Sequence, residues 1–95
     1  MADHNISIDS SGNPQPETLN CKAGDQITWT NNYAQALDSF TLPTCVAPPQ
    51  SPAPVAAGAT TRTFTVNQGA KGRFGYSFGW SVITLDTRSG TIDVS

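Results

Sequence analysis

The stretch CKAGDQITWTNN, residues 21–32, decides how the rest of the chain is read. Ala23, Gly24 and Asp25 form a turn signal, and beyond it Ile27 and Trp29 alternate with Gln26, Thr28 and Thr30. Strict alternation sends successive side chains to opposite faces of an extended chain, so this run has one apolar and one hydroxyl-rich face. The same period recurs outward in both directions. Ile6 and Ile8 alternate with Asn5, Ser7 and Asp9, Phe64 and Val66 with Thr63 and Thr65, and Ile92 and Val94 with Thr91 and Asp93. In GRFGYSFGWSV, residues 72–82, Phe74, Tyr76 and Phe78 alternate with Arg73, Gly75 and Ser77. No long segment carries apolar positions at helical spacing, and Gly, Pro, Asn, Ser and Thr interrupt the chain every few residues.

These runs predict strands over residues 5–9, 18–21, 26–31, 38–42, 62–67, 73–78, 82–85 and 90–94. Strands with one greasy and one polar face suit antiparallel sheets covered on one side, and short strands between frequent turns predict an all-β fold, a single antiparallel Greek-key β-sandwich or barrel. Ile6, Ile8, Ile27, Trp29, Phe40, Phe64, Val66, Phe74, Tyr76, Ile92 and Val94 are expected to point inward. Residues 43–61 hold five prolines, Pro43, Pro48, Pro49, Pro52 and Pro54. Each removes a backbone donor, so a central strand is excluded there and a long surface loop is expected, either a passive crossover between the two sheets or a recognition loop or polyproline-like ligand.

With 95 residues the chain has room for one small domain, residues 1–95, around one core. Hydrophobic residues make up 37% and charged residues 13%, with a net charge of -2, a globular composition rich in neutral polar side chains. The five Lys and Arg are scattered, which argues against nucleic acid as a partner and against an anionic membrane surface. No apolar stretch is long enough for a membrane span, and MADHNISIDSSG has neither the basic start nor the apolar segment of a signal peptide. The chain as given is expected to be soluble, with its compartment open. Cys21 and Cys45 are compatible with a disulfide or with two buried thiols. A bridge would add roughly 3 kcal/mol by constraining the unfolded chain.

Signatures of catalysis are missing. There is no glycine-rich phosphate loop, and the carboxylates Asp3, Asp9, Glu17, Asp25, Asp38, Asp86 and Asp93 include no pair spaced for shared acid–base work. His4, near a terminus, is the only histidine. A residue so placed is more often solvent-exposed or disordered than a ligand. An enzyme is not expected.

CKAGDQITWTNN resembles the second and third strands of a cupredoxin, the plastocyanin-like copper proteins. AAGATTRTFTV (56–66), GRFGYSFGW (72–80) and SGTIDVS (89–95) are similar to later parts of that family's pattern, in the same order. The resemblance implies a cupredoxin-like sandwich, and in the family a type 1 copper is held by His, Cys, His and usually a weak axial Met. Here the cysteine slot falls on Phe78, the following histidine slot on Ser81 and the axial slot on Arg88. The first histidine slot falls on Leu37 by ungapped counting, or on Asp38 if the parity of Phe40 and Leu42 governs.

What the resemblance implies is therefore the fold without its cofactor, with Phe78 as an apolar plug. Trp80 and Tyr33 would share the pole where the ligand loops sit. They are the candidate binding surface, with Trp80 either a lid on the core or a contact residue. The expected function is a metal-free binding or structural module with a protein or glycan partner, periplasmic or secreted by resemblance. The alternative is a copper or zinc protein with a relocated site built from Cys45, Cys21, His4 and a carboxylate.

Overall fold

The computed structural model of the chain describes residues 2–80 and 86–95. Nine strands run through the described residues: β1 (Asp3–Ile8), β2 (Pro14–Gln15), β3 (Thr18–Cys21), β4 (Gln26–Asn31), β5 (Ser39–Thr41), β6 (Val46–Ala47), β7 (Phe64–Val66), β8 (Gly72–Trp80) and β9 (Asp86–Val94). They form a five-stranded sheet in the order β2-β1-β4-β7-β6 and a four-stranded sheet in the order β3-β9-β8-β5. The two sheets enclose one apolar core, an all-β sandwich as the alternation predicts.

The pairing is mixed rather than wholly antiparallel. β1 runs parallel to β4, with Ile6 beside Trp29, and β3 runs parallel to β9, with Leu19 beside Ile92. Between β1 and β4 the chain visits the other sheet as β3, and a strand that returns after such a crossover can lie parallel to the one it left. β8 and β9 pair antiparallel along their whole length, from Gly72 opposite Val94 to Trp80 opposite Asp86. The expected strand at 82–85 lies outside the described residues.

Alternation sets which side chains fill the core. Along β4, Ile27, Trp29 and Asn31 are buried while Gln26, Thr28 and Thr30 are half-buried on the outer face. Trp29 occupies the centre, its ring 5.1 Å from Phe40, 5.7 Å from Phe64 and 5.3 Å from Tyr76, all edge-to-face, the arrangement aromatic quadrupoles favour. Gly90 lies opposite Tyr76, and a Cβ there would collide with the tyrosine ring, so the close approach requires glycine.

Two expectations need correction. Phe74 is half-buried and packs only against the margin of the core, because it sits near the end of β8, opposite Ile92 and beyond the stretch that β5 covers. Residues 43–61 are more than a surface loop. They contain β6, which pairs antiparallel with β7, and they bury Cys45, Val46 and Val55. β6 is an edge strand, the place in a sheet where a proline-flanked segment is tolerated.

Candidate functional site at the Tyr33 pole

Asn31, the last residue of β4, organises the pole. Its side chain is fully buried, and Nδ2 donates to the carbonyl oxygens of Gln35 (2.9 Å) and Val55 (3.1 Å). Its Oδ1 accepts the Tyr33 N–H at 3.0 Å. The Asn31 backbone reaches the same loop from its other groups, donating to Ala59 O at 2.8 Å and accepting the Gly58 N–H. One amide thus ties residues 32–36 to residues 55–59, with its polar atoms satisfied inside the protein.

Under these loops lies a packed apolar plug. Leu37 is 0% exposed and bridges Val55 through a pair of 2.9 Å backbone hydrogen bonds. Phe78 stacks 5.8 Å from Phe40 and meets Trp80 edge-on at 5.9 Å. Tyr33 lies over Trp80 with ring centroids 4.5 Å apart, and the Arg88 guanidinium stands 5.8 Å from the same indole. From below, Gly12 presses so close to the indole that a Cβ would come within 2.6 Å of it, and its φ of +86° is in the left-handed region that favours glycine.

The two residues that the resemblance offers at the first histidine slot differ in burial. Leu37 faces inward and Asp38 faces solvent, against the parity of Phe40. Parity fails because Leu37 bridges Val55 whereas the Asp38 N–H already bonds Gly79 O on β8, so the chain changes partners between the two residues. Phe78 is 1% exposed at the cysteine slot. Arg88, at the axial slot, lies beside Trp80, and Ser81 lies outside the described residues. A carbon-only side chain at Leu37 and Phe78 offers no donor to a metal, so these residues do not fit the copper that the fold family implies. Of the two aromatic candidates, only Tyr33 presents surface, because Trp80 is 6% exposed beneath it.

The other candidate ligands gather at the opposite pole. His4 belongs to β1, and its Nε2 lies 2.9 Å from Asp25 Oδ2, so it is an ordered partner of the β3–β4 turn. Asp25 also accepts the N–H groups of Ala2 (2.9 Å) and Lys22 (3.0 Å). These bonds, with the Ala2 amide foremost and His4 next, hold its carboxyl at about 2. Cys21, His4 and Asp25 line one cleft of about 530 Å³; Cys45 is buried and does not line it, though its thiol lies close enough to Cys21 for the two to interact electrostatically. Both cysteines are free thiols. Burial raises Cys21 and pushes Cys45 up to about 11, so neither is a thiolate at neutral pH. Among the described residues, no three His, Cys, Asp or Glu side chains stand where they would share a metal ion.

Asn31 and Asp25 are the two polar organisers that the sequence reading passed over as a strand end and a turn residue. The Asn-Asn pair after an alternating strand, and an Asp closing a Gly turn, are the signals that mark them.

No family model and no curated protein matches the chain. Solved structures do. A proline-to-glycine mutant of amicyanin in its reduced Cu(I) form superposes with a TM-score of 0.68 at 13% identity, over 98% of this chain and 82% of that one. A pseudoazurin from Sinorhizobium meliltoi gives 0.52 at 16% identity, over 100% and 75%. Native pseudoazurin from Hyphomicrobium denitrificans gives 0.53 at 15%, over 98% and 75%. At such identities the likeness speaks for the fold alone. With its strand order, its Asn31-tied pole and these neighbours, the chain is a cupredoxin-like β-sandwich.

Proposed function

We propose that this protein is a metal-free binding module that contacts a protein partner through the pole around Tyr33. The observation that carries this reading is the burial of Phe78, which packs on Phe40 and Trp80 at the position that the family resemblance gives to the metal-bound sulfur. The surface above the plug is mainly neutral, with Asp38 and Arg88 the charged residues near it. Ala34, Gln35, Pro54, Ala56 and Ala57 are exposed around a half-buried Tyr33, a composition that suits short-range packing better than electrostatic steering. Trp80 supports Tyr33 from beneath. The reading includes no catalysis and no cofactor, and by resemblance it places the protein in the periplasm or outside the cell.

A relocated metal site is the reading to test against it: His4, Cys21 and Asp25 line one cleft, although among the described residues no three such side chains stand where they would share an ion. Calorimetric titration of the reduced protein with Cu(I), Cu(II) and Zn(II), followed by absorption, separates the two. The module reading expects no stoichiometric heat and no colour. An intense visible thiolate-to-copper band would overturn it, and tight binding of a colourless ion lost in the Cys21→Ser variant would establish the alternative. Given a partner, Tyr33→Ala is expected to weaken binding at least tenfold with little salt dependence. A strong salt dependence would show that charge, and another surface, governs recognition.

A further inference from the structure

β5 is the outer strand of the four-stranded sheet, and Ser39, Phe40 and Thr41 pair with β8 on one side only. Among the described residues no backbone group lies hydrogen-bonded to its other side. An edge of this kind carries unpaired N–H and C=O groups and templates a further strand unless the protein covers it. The chain's own continuation is poorly equipped to do so. Pro43 follows within two residues of β5, and Pro48, Pro49, Pro52 and Pro54 come after it, all lacking the N–H that a ladder needs.

Beside the edge lies a groove of about 470 Å³ lined by Phe40, Leu42, Pro43, Val46 and Pro49, with Thr41, Thr44 and Ser51 at its rim. No ionisable side chain is among them. Strand addition to a sheet edge takes affinity from main-chain hydrogen bonds and selectivity from pockets that receive alternate side chains. Both parts are present here, side by side.

We propose that the free edge of β5 and this groove form a docking slot for an extended, uncharged peptide segment of a partner protein, which adds to the four-stranded sheet as a fifth strand with apolar side chains in the groove. A second copy of the chain fits less well. A three-residue edge with a proline two residues beyond it falls far short of the roughly 1,200–2,000 Å² that stable protein pairs bury, whereas a short peptide needs only the edge and the groove. The slot is distinct from the Tyr33 pole, and neither proposal depends on the other.

The test is chemical-shift mapping of the full chain with the capped peptide acetyl-Thr-Val-Thr-Val-Thr-amide. Saturating shifts are expected at residues 39–44, 46, 49 and 51. Methylation of alternate peptide amides should weaken binding at least tenfold, because it removes ladder donors. Thr44→Glu, at an exposed rim position, should do the same without altering the melting curve, while Tyr33→Ala leaves the affinity unchanged. Three results would overturn the slot: no saturable shift up to millimolar peptide, shifts confined to the Tyr33 pole, or concentration-dependent self-association through β5 in the absence of peptide.

Discussion

The two ends of the sandwich are closed by different physics. At the Tyr33 pole Leu37, Phe78 and Trp80 are packed shut, and the buried Asn31 side chain bonds backbone amides and carbonyls. At the opposite pole Asp25 does the closing, a buried carboxylate holding Ala2, Lys22 and His4. The first end answers to shape and volume, the second to protonation. The cupredoxin-like architecture therefore stands with one end closed by hydrocarbon, because the sheets are held by the core below it.

The sharpest way to break this contrast is to hollow out the packed pole. Phe78→Ala is expected to destabilise by about 3–5 kcal/mol, since a ring buried among Phe40, Tyr76 and Trp80 leaves a cavity. Urea unfolding measures it, and a loss under about 1 kcal/mol would mean that the pole is not packed. Gly12→Ala should cost about 1–3 kcal/mol in the same assay, from a Cβ driven against the Trp80 ring and from the positive φ. Its tryptophan emission should shift as Trp80 is displaced.

At the other pole the expected effect depends on pH. The Asp25 carboxyl sits at about 2 in the folded protein against 3.8 as a model value, so between those values the unfolded chain binds more protons. The stability that Asp25 contributes is complete well above 3.8 and is lost as pH falls through about 2. Asp9 is lowered in the same direction by its bonds to Asn13 and neighbouring groups and adds to the trend. Asp25→Asn should lower stability at neutral pH and flatten the acid limb, whereas Phe78→Ala lowers the whole curve and keeps its shape. An unchanged acid limb in Asp25→Asn would remove the contrast between the poles. The smallest effect belongs to Phe74→Ala, at roughly 1 kcal/mol for a ring that is only half-buried. A loss of 3 kcal/mol or more would place Phe74 in the core after all.

Local pattern was enough to find the longer strands, though not β2 or β6, and, within each strand it found, which face is greasy. Ile6, Ile27, Trp29, Phe64, Tyr76 and Ile92 are buried because a period of two leaves an extended chain no other choice once one face meets a core. That Phe78 continues the apolar stripe of Tyr76 was also legible, since it needs only residue identity and the parity of one strand. Tertiary structure alone decided the rest. That β4 returns parallel to β1, that Leu37 and not Asp38 turns inward, and that Cys45 and Val55 are buried within a proline-rich segment all depend on which distant strand lies alongside. Phe74 has the parity of Tyr76 and Phe78 yet stays half-exposed, because parity chooses a face and only the partners across the sandwich choose how deeply that face is covered.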